Sequence, residues 1–180
     1  MEMWFSEFHT PDVKHSIRVT RHLYAKKSSY QQIDIFETPE YGRVLTLDGN
    51  VQLTERDEFI YDEMITHVPM AVHPGITDIL VIGAGDGGVV RELTRYDRVK
   101  RIDLVEMDPQ VVEACREFLP GNACRMDDRR VHIFFENALR FIRRCEAEYD
   151  LIIVDSTDPF GPSEGLFTKE FYGSCFNALK

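Results

Sequence analysis

The sequence predicts an α/β fold: a Rossmann-like, doubly wound and mostly parallel sheet, preceded by a small N-terminal antiparallel β-subdomain. Three observations predict it. Residues 1–55 read as short strands separated by turn signals, residues 79–154 alternate apolar runs with helical segments, and the first of those runs ends in a glycine-rich turn, Gly83-Ala-Gly-Asp-Gly-Gly88. Strand and helix in alternation require parallel pairing with right-handed crossovers.

Taken in order, residues 15–24 place Ile17 and Val19 in alternation and predict a strand. Residues 32–38 alternate Ile33 and Ile35 with polar neighbours, and residues 43–54 form a hairpin turning at Asp48-Gly49-Asn50. Over residues 55–70, Ile60, Met64, Ile65 and Val68 recur at helical spacing, so a linking helix is expected, closed by Pro74-Gly75. Strands are then expected at 79–82, 102–105, 131–135 and 151–154, with helices reaching residue 94, spanning 109–119 and starting at 138. Residues 168–180 read as an amphipathic helix that stops without a capping glycine or a following strand. On that ground the chain is expected to be a fragment, with residues 1–55 as the β-subdomain and 56–180 as a nucleoside-binding catalytic unit lacking its C-terminal part.

A net charge of -10 argues against general attraction to nucleic acid or to an anionic membrane surface, and it suits small cationic substrates. No apolar run approaches the roughly 20 residues of a membrane-spanning helix. The four cysteines are scattered without a C-x-x-C pair and read as reduced thiols of a cytoplasmic protein. The six histidines form no His-x-x-x-His pair, so no metal site is expected.

Gly83, Gly85 and Gly88 stand at G-x-G-x-x-G spacing, where the backbone bends sharply after a strand and approaches a ligand closely. Asp86 lies inside that turn. A pyrophosphate seated at a helix N-terminus would be repelled by this carboxylate, so the ligand is expected to bring a cationic group, as a sulfonium nucleoside does. Glu106, 20 residues beyond Asp86, ends the second parallel strand where a doubly wound fold places the acid that grips both ribose hydroxyls; its alternative is a solvated strand-end acid. Asp108 precedes Pro109 and reads as a helix cap. Asn137, after the third strand, either hydrogen-bonds the adenine edge or caps the next helix. The fourth strand ends in Asp155-Ser-Thr-Asp158-Pro159, which sends two carboxylates into the crevice that holds Asp86. The natural guest of such an acidic pocket is an amine.

Tyr30-Gln-Gln-Ile-Asp-Ile-Phe36, Gly42-Arg-Val-Leu-Thr-Leu-Asp-Gly49, Thr54-Glu-Arg-Asp-Glu-Phe-Ile-Tyr61, the glycine turn, Asp155-Ser-Thr-Asp-Pro159 and Leu166-Phe-Thr168 occur in one order and spacing. Together they resemble the polyamine aminopropyltransferases of the spermidine synthase type, over nearly the whole chain. The resemblance implies transfer of the aminopropyl group of decarboxylated S-adenosylmethionine to putrescine, giving spermidine and methylthioadenosine, with no cofactor beyond that co-substrate. It implies that Asp86 holds the aminopropyl ammonium, Glu106 the ribose, Asn137 and Ala138 the adenine side, and Gln31 the nucleoside from above. Gly83 and Gly85 would approach the same nucleoside. Asp158 would anchor putrescine, while Asp155, helped by Tyr61, would orient the attacking nitrogen and take its proton. Residues 161–166 would form a closing loop, and a homodimer or homotetramer would assemble partly through the N-terminal strands.

Three positions depart from the pattern. Ala84 replaces a glycine, which is tolerable unless the position needs positive φ. Ala138 stands where glycine is common and tightens the adenine wall. Asp62 follows Tyr61 where His or Gln is familiar, and puts a negative charge beside the amine site that either strengthens cation binding or shifts substrate choice. Two rival readings remain: a methyltransferase using S-adenosylmethionine, which shares the class I sheet, glycine turn and ribose acid, and a nucleoside-binding or assembly module without turnover. The acidic pocket and the β-subdomain with its Tyr61 segment count against the first.

Overall fold

The computed structural model of the chain describes residues 2–157, 159 and 161–180. The N-terminal part is antiparallel throughout. Strands β1 (Met3–Thr10) and β2 (Val13–Val19) form a hairpin, and β3 (Arg21–Lys27), β4 (Gln32–Thr38), β5 (Gly42–Leu47) and β6 (Asn50–Thr54) form a four-stranded sheet in that order. The β5–β6 hairpin turns where the sequence predicts, with Asp48 at φ 49° and Gly49 at φ 79°, the two positive values a tight two-residue turn requires. The segment predicted as one strand over 15–24 is two. At Thr20 the chain leaves β1 and joins β4, held by the Thr20 N–H and hydroxyl on the Glu37 carbonyl (2.8 and 3.0 Å) and by an Arg21–Glu37 ion pair at 2.7 Å.

Helix α1 (Glu58–Val72) leads into the second sheet, whose strands β7 (Asp78–Gly83), β8 (Arg101–Glu106), β9 (Val131–Phe135) and β10 (Leu151–Asp155) are all parallel in the order β10-β7-β8-β9. Between them run α2 (Gly88–Leu93), α3 (Pro109–Phe118), a short α4 (Pro120–Ala123) that the sequence did not announce, and α5 (Ala138–Ile142). A 3-10 turn at Gly161–Phe167 replaces the expected open loop, and α6 (Lys169–Ala178) follows. Beyond α6, Leu179 makes a parallel bridge to Tyr149, and the Lys180 N–H donates to the Tyr149 carbonyl at 2.9 Å. Among the described residues no helix is long and apolar enough to cross a membrane.

Strands buried on both faces explain the continuous apolar runs. Ile79 and Val81 of β7 point to a core shared with Met70 of α1 and with Val89, Val90 and Leu93 of α2. Leu80 and Ile82 point oppositely, to Phe141 and Ile142 of α5 and to Phe171 and Cys175 of α6. Helix α3 buries two sides. Val112 joins the parallel-sheet core, whereas Val111, Ala114 and Cys115 pack against Ile33, Ile35 and Leu45 of the antiparallel sheet. The chain winds from β7 outward to β9 and returns to β10 on the other side of β7, so its topological switch point, where open α/β sheets bind ligands, lies between the ends of β7 and β10.

Close packing at that point has specific requirements. A Cβ on Gly83 would lie 1.7 Å from the Asp155 carbonyl oxygen, and one on Gly88 would lie 1.8 Å from Asp62 Oδ2. Asp62 reaches Gly88 from α1, inside a charged cluster in which Arg91 makes a paired hydrogen bond to Glu58 at 3.0 and 2.8 Å and another to Glu92 at 2.9 Å. Gly88→Ala is therefore expected to destabilise the protein by about 1–3 kcal/mol through overpacking. Adding Asp62→Ala, which deletes the clashing carboxylate, should recover most of that loss in denaturant titrations; equal losses in the single and double variants would show that the Gly88–Asp62 contact is not the cause.

Candidate active site

The site is built on the C-terminal ends of β7, β8 and β10. After β7 the backbone turns through Gly83 (φ 83°), Ala84 (φ 58°) and Gly87 (φ 95°) before α2 begins. Ala84 thus occupies the left-handed region its substitution for glycine made undesirable, at a cost of about 1–2 kcal/mol. Its methyl is 5% exposed and packs in the core beneath the turn. The turn aims Asp86 at the crevice, with Oδ1 accepting the Gly88 N–H at 2.9 Å and a long bond from Asn122 Nδ2 at 3.5 Å. Burial nonetheless raises the Asp86 carboxyl above its ordinary range, against the pull of those donors.

Asp155 ends β10 opposite Gly83 in the parallel register, and the Ala84 N–H donates to its carbonyl at 3.2 Å. Tyr61, half-exposed on α1, donates its hydroxyl to Asp155 Oδ1 at 2.8 Å. Burial lifts the Asp155 carboxyl to about 6, the Asp86 charge adds to this, and the Tyr61 hydrogen bond opposes it. The Tyr61 phenol is pushed well above its usual range, first by burial and then by Asp155. Asp158 lies outside the described residues.

Glu106 ends β8 beside the glycine turn, where a Cβ on Gly85 would sit 2.8 Å from its Oε2. Its Oε1 accepts the Asp108 N–H at 2.9 Å. Burial raises Glu106 to about 7 even though the Asp108 and Met107 amides favour its ionised form. Asp108 caps α3 as expected, accepting the Gln110 N–H at 3.0 Å, with Pro109 in the first turn. Gln31, from the turn between β3 and β4, reaches across from the other sheet and donates Nε2 to Asp108 Oδ2 at 3.2 Å. Of the two readings left open for Asn137, the structure shows the cap: its Oδ1 accepts the Leu139 and Arg140 N–H groups at 2.9 and 3.3 Å at the start of α5, beside Ala138.

Asp62 sits differently from the other acids. It is 4% exposed, turned under Gly88, and its Oδ2 lacks a hydrogen-bond partner. Burial raises its carboxyl to about 9, followed by the hydrogen bond it shares with Glu58 and the charge of Asp86. Arg91 Nη2 stands 3.8 Å from Oδ2, but that guanidinium is engaged by Glu58 and Glu92, so burial prevails and favours the neutral form of Asp62. Burial thus works against the added charge expected from sequence. A second cluster, Glu63, His67 and Glu92, has metal-ligand proximity. His67 is bonded to Tyr96 (2.7 Å) and Glu92 (3.1 Å), Glu92 also to Arg91 and Arg95, and Arg95 stands 3.9 Å from Glu63, which makes the group an ion-pair network. Ser28, whose hydroxyl donates to Asp108 at 2.6 Å, is a participant that no sequence signal marks, because its partner lies 80 residues away.

The chain is 61% identical over 180 residues to the polyamine aminopropyltransferase of Alkaliphilus oremlandii, and 61% identical over 179 residues to that of Clostridium botulinum. These alignments cover 100% and 99% of this chain, which spans 63% of the length of each relative. Among solved structures, a spermidine synthase in complex with the transition-state analogue AdoDATO superposes with TM-score 0.96 at 44% identity, over 99% of this chain and 61% of that one. The spermidine synthase of Thermotoga maritima gives 0.94 at 44% identity, over 99% and 60%. Residues 3–55 match the spermidine synthase tetramerisation domain. Residues 58–180 match the spermine/spermidine synthase domain, and the chain belongs to that family.

Proposed function

We propose that the whole protein transfers an aminopropyl group from decarboxylated S-adenosylmethionine to putrescine, giving spermidine and methylthioadenosine. The observation that carries this reading is the meeting of Asp86 and the Tyr61–Asp155 pair at one switch point, an acidic crevice directly beside a nucleoside-type glycine turn. A methyltransferase has no use for that crevice. In the proposed site Glu106 takes the ribose hydroxyls and Gln31 approaches the nucleoside from the other sheet. Asn137 and Ala138 border the adenine, with the Asn137 oxygen already committed to the α5 cap and its amide nitrogen left to donate. Asp86 holds the aminopropyl ammonium, and Asp158 anchors the far end of the diamine.

The reaction is a displacement in which the amine attacks the carbon bonded to the sulfonium and a neutral thioether leaves. The chemistry draws on no metal, since neither nucleophile nor leaving group needs a Lewis acid. Its difficulty is the protonated amine. Passing a proton from an alkyl ammonium near pKa 10.4 to an ordinary aspartate at about 3.9 would cost roughly 9 kcal/mol. With Asp155 raised to about 6, the gap shrinks to about 6 kcal/mol. Asp155 acts as the base only above its own pKa, so transfer is lost as pH falls through about 6 and recovers above it. Asp62, buried beside Gly88, is a further acid of the proposed amine site.

A cytoplasmic setting fits the four free cysteines, three of them buried. Assembly as a homodimer or homotetramer is proposed from the matched tetramerisation domain and from the β1–β2 hairpin, which leaves Trp4 55% and Phe8 64% exposed. Residues 1–55 and 56–180 are taken as two units that contribute to one site.

Three measurements test these proposals. In calorimetric titrations the chain should bind decarboxylated S-adenosylmethionine more tightly than the carboxylated form, whose extra carboxylate would meet Asp86, and Asp86→Asn should narrow that preference by about tenfold, the loss of one charge-assisted contact. A preference for the carboxylated form would favour the methyltransferase reading. By carbon-13 NMR the Asp155 carboxyl should titrate near 6, and Tyr61→Phe should move the midpoint upward, because the lost hydroxyl favours the ionised form. A downward move would remove Tyr61 from the role given to it. Replacing Trp4 and Phe8 by aspartate should reduce the mass seen in sedimentation to that of one protomer; an unchanged assembly would place the interface elsewhere.

A further inference from the structure

Asp108 is 1% exposed, yet each of its polar groups serves a different element. Oδ1 accepts the Gln110 N–H at 3.0 Å and caps α3. Oδ2 accepts the Ser28 hydroxyl at 2.6 Å and Gln31 Nε2 at 3.2 Å, both from the β3–β4 turn. Its own N–H donates to Glu106 Oε1 at 2.9 Å. Ser28 is arranged to match: Oγ accepts the Tyr30 and Gln31 N–H groups, both at 3.0 Å, so its lone pairs are used within the turn. Its single proton has two acceptors in reach, Asp108 at 2.6 Å and the Gln31 carbonyl at 3.2 Å, and the short charge-assisted bond prevails. The hydroxyl thus closes the 28–31 turn and docks it on the parallel sheet's half of the molecule.

We propose that Asp108, acting through Ser28, is a positioning residue for the nucleoside. It fixes the 28–31 turn so that Gln31 and Glu106, carried by different sheets, address the same ribose. This rests on the ribose reading of Glu106 given above. The two sheets are already held together by the apolar contact of α3 with Ile33, Ile35 and Leu45, so the clasp is not needed to join them. What it adds is the placement of one turn. The Gln31 bond to Asp108 is the longer of the two, and Gln31 can exchange it for a nucleoside oxygen while Ser28 keeps the turn in place.

The test uses calorimetric titration of the chain with methylthioadenosine and, separately, with putrescine. Ser28→Ala leaves the α3 cap intact and is expected to weaken methylthioadenosine binding about fivefold to tenfold, the loss of one hydrogen bond to a charged group. Putrescine affinity should stay unchanged, and Ser28→Thr, which restores the hydroxyl, should recover nucleoside affinity. Asp108→Asn, which keeps a capping oxygen but loses the charge, should weaken methylthioadenosine binding to a similar degree. Glu106→Gln separates the ribose contact from the positioning role. Loss of nucleoside binding in Glu106→Gln with Ser28→Ala and Asp108→Asn unaffected overturns the positioning role and leaves the ribose reading standing. Unchanged binding in Glu106→Gln, or none by the unaltered chain, overturns both. Equal weakening of nucleoside and amine in Ser28→Ala, or failure of Ser28→Thr to recover affinity, would mark the clasp as general structure and overturn the proposal.

Discussion

The close approach of β7 to β10 at Gly83 is the constraint on which the rest of the site depends. With the Asp155 carbonyl standing where a Cβ at Gly83 would be, the two strand ends run side by side to their last residue. The backbone must then leave β7 through positive φ at Gly83 and again at Ala84, where an alanine bears the strain. A turn of that shape projects Asp86 over the same gap that Asp155 enters from β10. Strain, proximity and shared negative charge are therefore one arrangement, stabilised by the apolar burial of β7 on both faces beneath it.

Helix α3 carries the second constraint, because it must satisfy two sheets at once. Adjacent residues Val111 and Val112 face opposite cores, which a helix achieves when apolar residues spread around more than one stripe. Its N-terminus therefore cannot drift without disturbing both sheets, and Asp108 at that N-terminus sits beside residues from each. Glu106 and the Gln31 turn, which belong to different sheets, are related to one another through this single helix end.

Much of this was legible in the sequence, and the reasons are local. The central strand β7, buried on both faces, writes itself as an unbroken apolar run, and β8, β9 and β10 keep enough apolar residues that all four were found within a residue or two of their limits. Asp48-Gly49 and Asp108-Pro109 announce a turn and a cap by side-chain chemistry that acts over a few residues. The pairing of Tyr61 with Asp155 was reached by resemblance and not by pattern, since it joins residues 94 apart. The features that were misread or missed are those set by distant partners. Thr20 breaks a strand because Glu37 pulls it into another sheet, and Ser28 gains its role from Asp108. Asp62 looked like an added charge beside the amine, whereas packing under Gly88 buries it and favours its neutral form. The left-handed backbone at Ala84 was foreseeable only as a condition, because a sequence shows the substitution without the φ it must adopt.

The electrostatics of the crevice follow from how few cations the fold supplies to it. Arg91 is the cation nearest the cluster, and its guanidinium is spent on Glu58 and Glu92 on the α1–α2 side. Burial favours the neutral form of Asp62, which lessens the negative charge facing Asp86 and Asp155. Among the described residues those two have hydrogen-bond donors but no counter-ion, and each is raised in pKa by burial, Asp155 also by the charge of Asp86. Such a pair can be relieved in two ways, by taking up a proton or by taking up an ammonium. In the proposed reaction both occur in sequence. An ammonium on Asp86 removes the repulsion that lifts Asp155 and favours its ionised form, while the proton given up by the attacking amine favours its neutral form. A base that is easier to keep ionised once the co-substrate is seated, and harder once it is absent, ties proton acceptance to the presence of the group to be transferred.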